Sequence, residues 1–239
     1  MTVQRFFVDP DQIDRDKVTF GDAQIHQMRR VLRLSPGDRV RVFDGVSSVD
    51  WLVDLDAAGR GHVVGECPQA REPLVRLVMY PSLLRRDKFE AVLQKLTEIG
   101  VAAICPVISA RGLVREPPDE RRLARWRAIV REASEQSGRG AIPQLLPARG
   151  FAEAIAAAKG TRIVAYERER CLHLSEVLAE APTVVSAFIG PEGGFAPEEA
   201  DCAARSGAHL ITLGPRVFRT ETASPILAAL VLYELGDLT

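Results

Sequence analysis

From Pro73 onward the sequence alternates runs that read as strands with runs that read as helices, and this rhythm limits the possible folds more than any other feature. "LVRLVMY" is a short apolar run suited to a buried strand. "DKFEAVLQKLTEIG" follows, with Phe89, Val92, Leu93, Leu96 and Ile99 on one helical face and Gly100 as its stop. "VAAICPVI" reads as the next strand. Asp119 is placed to cap a long helix whose apolar stripe is Leu123, Trp126, Val130 and Ala133. A short strand near 142–146, helix "FAEAIAAAKG", strand "RIVAY", helix "LSEVLAE" and strand "TVVSAFI" continue the series. Helix "PEEADCAARSG", strand "HLITL" and helix "TASPILAALVLYEL" close it. Such alternation predicts an α/β domain whose parallel sheet is covered on both faces.

Residues 1–70 follow a different pattern. "RFFV", "DKVTF", "RVRVFDG", "VDWLVDL" and "GHVVGE" are short strand-like runs separated by turn residues, which predicts a small β domain. Between them, "IHQMRRVLRL" (25–34) reads as a short helix with Ile25, Met28, Val31 and Leu32 facing inward and Arg29, Arg30 and Arg33 pointing elsewhere. "QAREP" at 69–73 is a linker, so two domains are expected, 1–70 and 73–239.

The start of the chain carries charge and lacks the apolar run of a signal peptide. No stretch has the roughly 20 uncharged apolar residues that cross a bilayer, so no membrane contact is expected. Cys67, Cys105, Cys171 and Cys202 are far apart, as are His26, His62, His173 and His209. The expectation is no disulfide, no metal and a cytoplasmic location. The net charge of −1 hides an uneven distribution: residues 73–148 hold thirteen basic and eight acidic side chains, and the basic ones are nearly all arginine. Arginine forms bidentate pairs with phosphate, and a local basic stripe attracts a polyanion even on a near-neutral molecule. A solvated helix face is the plainer reading of any one run.

Two strand ends carry unusual sequence. "FIGPEGGF" ends the run at 183–189, and "TLGPRVFRTETA" (212–223) follows the run at 209–213. In open α/β sheets, ligands bind at the carboxyl ends of the strands. Glycine permits close backbone approach, and Pro191 and Pro215 stiffen both loops. Each loop alone could be a tight turn; two of them separated by one helix point to a pocket. Neither is a phosphate-binding G-x-x-x-x-G-K-[ST] or G-x-G-x-x-G, which disfavours a nucleotide triphosphatase and an ordinary dehydrogenase. Thr220 or Thr222 either caps the following helix or takes part in chemistry.

These paired segments resemble the motifs of the SPOUT methyltransferases, and more closely the RsmE family of 16S ribosomal RNA uracil-N3 methyltransferases. "RRVLRLSPGDRVRVFDG" resembles that family's PUA-like RNA-binding β-barrel, and "DKFEAVLQKLTEIGV" and "EASEQSGR" resemble its central segments. Phe218 departs from the pattern, since the family more often has an aliphatic residue there. The resemblance implies a SPOUT α/β fold with a C-terminal trefoil knot behind the small barrel, and a homodimer. It also implies S-adenosylmethionine as cofactor and 16S rRNA, within the assembled small subunit, as substrate, giving m3U1498. A different SPOUT RNA methyltransferase and a non-catalytic RNA-binding protein are the other readings.

On this resemblance the cofactor residues would be Ile189, Gly190, Pro191, Glu192, Gly193 and Gly194 from one loop. Leu213, Gly214, Phe218, Arg219, Thr220, Thr222 and Ala223 would supply the other. Ile189 and Leu213 would sandwich the adenine. Arg219 would steady charge on the uracil and Glu221 is the other catalytic candidate, while Glu192 either joins the chemistry or holds its loop through backbone hydrogen bonds. RNA contacts are assigned to Arg29, Arg30 and Arg33, and further to Arg85, Arg86, Arg111 and Arg139.

Overall fold

The computed structural model describes residues 3–85, 87–169 and 171–238. Their contacts form two units, one of residues 1–72 with 134–142 and one of residues 73–133 with 143–239. In the first, β1 (Arg5–Phe7), β2 (Ile13–Asp14), β3 (Lys17–Thr19), β4 (Arg39–Phe43), β5 (Val49–Leu55) and β6 (Arg60–Pro68) form a six-stranded sheet in the order β1-β4-β5-β6-β3-β2. Alternation along β4 buries Val40 and Val42 with Phe6, Val18, Phe20 and Val53. Asp50 is fully buried and would be costly alone. Arg5 meets it with two hydrogen bonds of 2.7 and 2.9 Å, Arg41 approaches to 3.1 Å, and the Arg5 guanidinium lies 3.6 Å over the Phe43 ring.

The predicted helix at 25–34 begins earlier, as α1 (Asp22–His26), and continues into a π-helical turn over Gln27–Val31. Met28 is buried and Ile25 and Leu32 pack on the core, but Val31 is 68% exposed, because the wider turn rotates it away from the sheet.

In the second unit the strand–helix rhythm is realised. The elements are β7 (Arg76–Pro81), α2 (Asp87–Ile99), β8 (Ala103–Ile104), β9 (Val107–Ile108), α3 (Glu120–Ser137), β10 (Gln144–Leu145), β11 (Arg149–Gly150), α4 (Phe151–Ala157), β12 (Thr161–Ala165), α5 (Leu174–Val177), β13 (Val184–Ile189), α6 (Pro197–Arg205), β14 (His209–Ile211) and α7 (Thr220–Glu234). The last turn of α3 belongs to the first unit. The main sheet is parallel throughout, in the order β10-β8-β7-β13-β12-β14. The single strand expected over "VAAICPVI" is broken. Pro106 has no N–H to extend the ladder, so β8 stays in the main sheet and β9 pairs with β11 in a separate two-stranded sheet.

Helices α2 and α7 pack together, and α7 lies on β7 and β13; α4 and α6 pack together elsewhere in the unit. Tyr80 stacks on Phe188 at 4.2 Å, and the Phe188 ring meets Phe151 edge-on. Leu77 and Met79, fully buried, alternate with Val78 and Tyr80 and so point to the opposite sheet face. The register aligns Pro81, Ile189, Ala165 and Ile211 at one edge. The loops leaving β7, β12, β13 and β14 therefore share that edge. No described helix is long and apolar enough to cross a membrane.

Candidate active site

A cavity of about 300 Å³ opens at the shared carboxyl edge. Residues Ile189–Gly194 form one wall, the segment from Thr212 to Phe218 with Thr220 and Ala223 forms another, and Ala165, Tyr166 and Glu167 form a third. Eleven of the thirteen residues expected to hold a cofactor line it: Ile189, Gly190, Pro191, Glu192, Gly193, Gly194, Leu213, Gly214, Phe218, Thr220 and Ala223. Arg219 and Thr222 are exposed and do not line it.

The loop after β13 is held by short-range bonds. The Gly194 N–H donates to the Pro191 carbonyl at 2.9 Å. Gly194 sits at φ +67°, and a Cβ there would come within 2.7 Å of the Glu167 carboxylate carbon. The backbone conformation favours glycine at this point, and the Glu167 carboxylate occupies the space a Cβ would take. The second loop has a conformational need alone at Gly214, at φ +98°, where a Cβ would meet nothing within 4 Å. Its start is bonded locally, with the Gly214 N–H donating to Thr212 Oγ1 at 3.1 Å. Thr220 ties the loops together: its Oγ1 donates to the Gly190 carbonyl at 2.8 Å. Arg219 supplies the N-cap carbonyl, which accepts from the N–H groups of Thr222 (2.8 Å) and Ala223 (2.7 Å). The cap is thus made by backbone, and the Thr220 hydroxyl is used between loops.

Glu221 lies one residue into α7, where the helix dipole favours a negative charge. Its Oε1 is 3.0 Å from Lys88 Nζ, and its Oε2 is buried without a hydrogen-bond partner. Burial pushes the carboxyl up, but its own amide, Lys88 and the Arg219 charge outweigh that and hold it below the usual carboxylate range. Glu192 is exposed at the cavity rim, with Oε1 4.0 Å from the same ammonium.

The walls combine apolar surface from Ile189, Leu213, Val217, Phe218 and Ala223 with acceptors from Glu167, Thr212 and Thr220. A flat heteroaromatic ring joined to a polyhydroxylated, cationic tail matches that set, as S-adenosylmethionine requires. Among the described residues no three His, Cys, Asp or Glu side chains are grouped as a metal would need.

A family model described as an RNA methyltransferase domain matches residues 70–232. Ribosomal RNA small subunit methyltransferase E of Synechocystis is 31% identical over 232 residues, covering 94% of this chain and 76% of the relative. The chain belongs to the ribosomal RNA small subunit methyltransferase E family. The Mycobacterium bovis member is 30% identical, covering all of this chain and 93% of its own. A crystal structure of the Neisseria gonorrhoeae member, bound to S-adenosyl methionine, superposes with a TM-score of 0.89 at 31% identity and full coverage of both chains.

The arginines expected to contact RNA differ in exposure and partners. Arg29, Arg30 and Arg33 are exposed; Arg29 Nη2 donates to the Ala57 carbonyl at 3.0 Å, and Arg33 sits at φ +57°. Arg85 is exposed, and Arg86 lies outside the described residues. Arg111 is exposed and packs against the glycine loop, with Nη1 donating to the Gly193 carbonyl at 3.4 Å. Arg139 must be withdrawn from the RNA set. It is 7% exposed and its guanidinium is committed to Glu72 at 2.6 Å. Sequence reasoning missed Lys88, Glu167, Tyr166 and Arg216. A third loop at the same strand edge was the available signal for Glu167, since β12 carries the register of β13 and β14.

Proposed function

We propose that this protein binds S-adenosylmethionine between the 190–194 and 212–218 loops and methylates N3 of one uridine of 16S rRNA, giving m3U1498, within the small ribosomal subunit. The observation that carries this reading is the cavity at the carboxyl edge of β12, β13 and β14, walled by two glycine loops that Thr220 ties to each other. The small-subunit rRNA methyltransferase family and the cofactor-bound relative support it.

S-adenosylmethionine supplies a methyl group already activated on a sulfonium. The chain's own residues then have two tasks, alignment and management of the N3 proton. Ile189 and Leu213 offer apolar faces for the adenine, and Glu167 offers acceptors for hydroxyls. Uracil N3 is a poor nucleophile until its proton leaves, and the Arg219 guanidinium steadies the anion that results. Glu221, held ionised, has low proton affinity and orients neighbouring groups better than it stores a proton.

The target base leaves its stack to reach the cavity, as base-modifying enzymes require. The first unit acts as the PUA-like RNA-binding barrel, with Arg29, Arg30 and Arg33 on phosphate. The C-terminal segment threads as a trefoil knot, a reading supported by membership of the rRNA methyltransferase family. The chain works as a homodimer in the cytoplasm; support for the dimer comes from Leu230 and Tyr233, 39% and 61% exposed on α7. Incubation with methyl-labelled cofactor and either free 16S rRNA or small subunits lacking the modification tests the reading. Label in the assembled subunit, with a primer-extension stop at one uridine, is expected. Label on another RNA, or none, refutes it.

A further inference from the structure

Lys88 stands in the first turn of α2, just beyond the carboxyl end of β7 and far in sequence from either glycine loop. Its ammonium lies 3.0 Å from Glu221 Oε1 at the start of α7 and 4.0 Å from Glu192 Oε1 in the 190–194 loop. One cation therefore pairs closely with a carboxylate from one of the three segments that wall the cavity and approaches a carboxylate from a second. The same two segments are joined by the Thr220–Gly190 hydrogen bond. The Lys88 side chain is 42% exposed, and ion pairs this open contribute little to folding. Its placement is of more consequence than its stabilising energy. The far oxygen of Glu221 is buried with no hydrogen-bond partner. Lys88 and the neighbouring Arg219 are the cations that offset Glu221.

We propose that Lys88 is a positioning residue for methyl transfer: it fixes Glu221 and Glu192 in one arrangement, sets the two cavity walls in register, and cancels carboxylate charge beside Arg219. This rests on the methyltransferase reading above. Without Lys88, two carboxylates face the region where the acceptor base becomes anionic, and like charge opposes that ionisation. The lysine acts through the glutamates and touches neither reactant.

Two measurements test this. Hydrogen–deuterium exchange on the ligand-free protein should show faster exchange at 190–195 and 219–222 in Lys88→Met, with residues 3–68 unchanged. Loops that exchange as in the wild type overturn the proposal, whatever the substrate. Methylation kinetics on small subunits should show kcat down by about tenfold in Lys88→Met with KM for RNA within about twofold, and most of the rate restored in Lys88→Arg. In a Glu221→Gln background, Lys88→Met should add less than about threefold, because its partner is already neutral. A rise in KM at unchanged kcat overturns the proposal and makes Lys88 a direct phosphate contact, and an equal loss in both backgrounds overturns it by showing that Lys88 does not act through Glu221. A wild-type protein that transfers no methyl group refutes the enzymatic reading alone, since the exchange result still decides whether Lys88 ties the loops.

Discussion

Replacing Gly194 by alanine separates the backbone role of the first glycine loop from its role in the cavity. At φ +67° an alanine pays the left-handed penalty of about 1–2 kcal/mol. That corresponds to a fall in Tm of about 2–8 °C for a chain of this size. The added Cβ also falls within 2.7 Å of the Glu167 carboxylate carbon and 2.8 Å of its Oε2. The obstacle is the end of a flexible side chain, so the carboxylate swings aside at small cost to folding. Glu167 lines the cavity, however, so its displacement is read in cofactor binding. Gly207 provides the control: its φ is +76°, a Cβ there meets nothing within 4 Å, and it does not line the cavity. Both variants should lose similar Tm. Only Gly194→Ala should weaken S-adenosylmethionine binding in calorimetry, by at least about tenfold, or about 1.4 kcal/mol. Wild-type affinity in Gly194→Ala, or an equal loss in Gly207→Ala, would show that Glu167 beside Gly194 does not shape the cofactor cavity.

Arg219→Ala should lower kcat by about 100-fold while cofactor Kd moves less than about threefold, because Arg219 does not line the cavity; stopped-flow turnover and calorimetry separate the two. Reversing Arg29, Arg30 and Arg33 to glutamate should weaken RNA binding and reduce its salt dependence in filter-binding titrations, with cofactor affinity unchanged. Asp44 is nearly buried; burial pushes its carboxyl up, but the N–H groups of Val46 and Ser47 and the Ser47 hydroxyl outweigh that and hold it below the usual range. Its stabilising contribution is full above the ordinary carboxylate pKa of about 4 and is lost as pH falls below it. Urea unfolding between pH 7 and pH 3 should show this loss in the wild type and a flatter acid limb in Asp44→Asn.

The glycine loops were legible because glycine and proline cluster where strands end, and that local chemistry persists in the fold. Most helix faces were legible for the same reason: Phe89, Val92, Leu93 and Leu96 are buried as the 3.6-residue period requires. Contacts that close over long sequence distances were not. Lys88 reads as an ordinary surface lysine until α2 and α7 pack and bring it to Glu221. Glu167 follows an unremarkable strand and gains meaning only from parallel pairing with β13 and β14. Arg139 looked like part of the basic stripe, yet residues 134–142 join the first unit, where Glu72 takes its charge. Proline at 106 was visible, but its effect on sheet membership depends on which partner strand is nearby.

In the proposed function the two glycine loops jointly enclose the methyl donor. A crystal structure of this protein grown with S-adenosylmethionine tests it most directly. The adenine should lie between Ile189 and Leu213, with the sulfonium methyl directed toward Arg219. A ligand bound elsewhere, with the space between the loops closed, contradicts it.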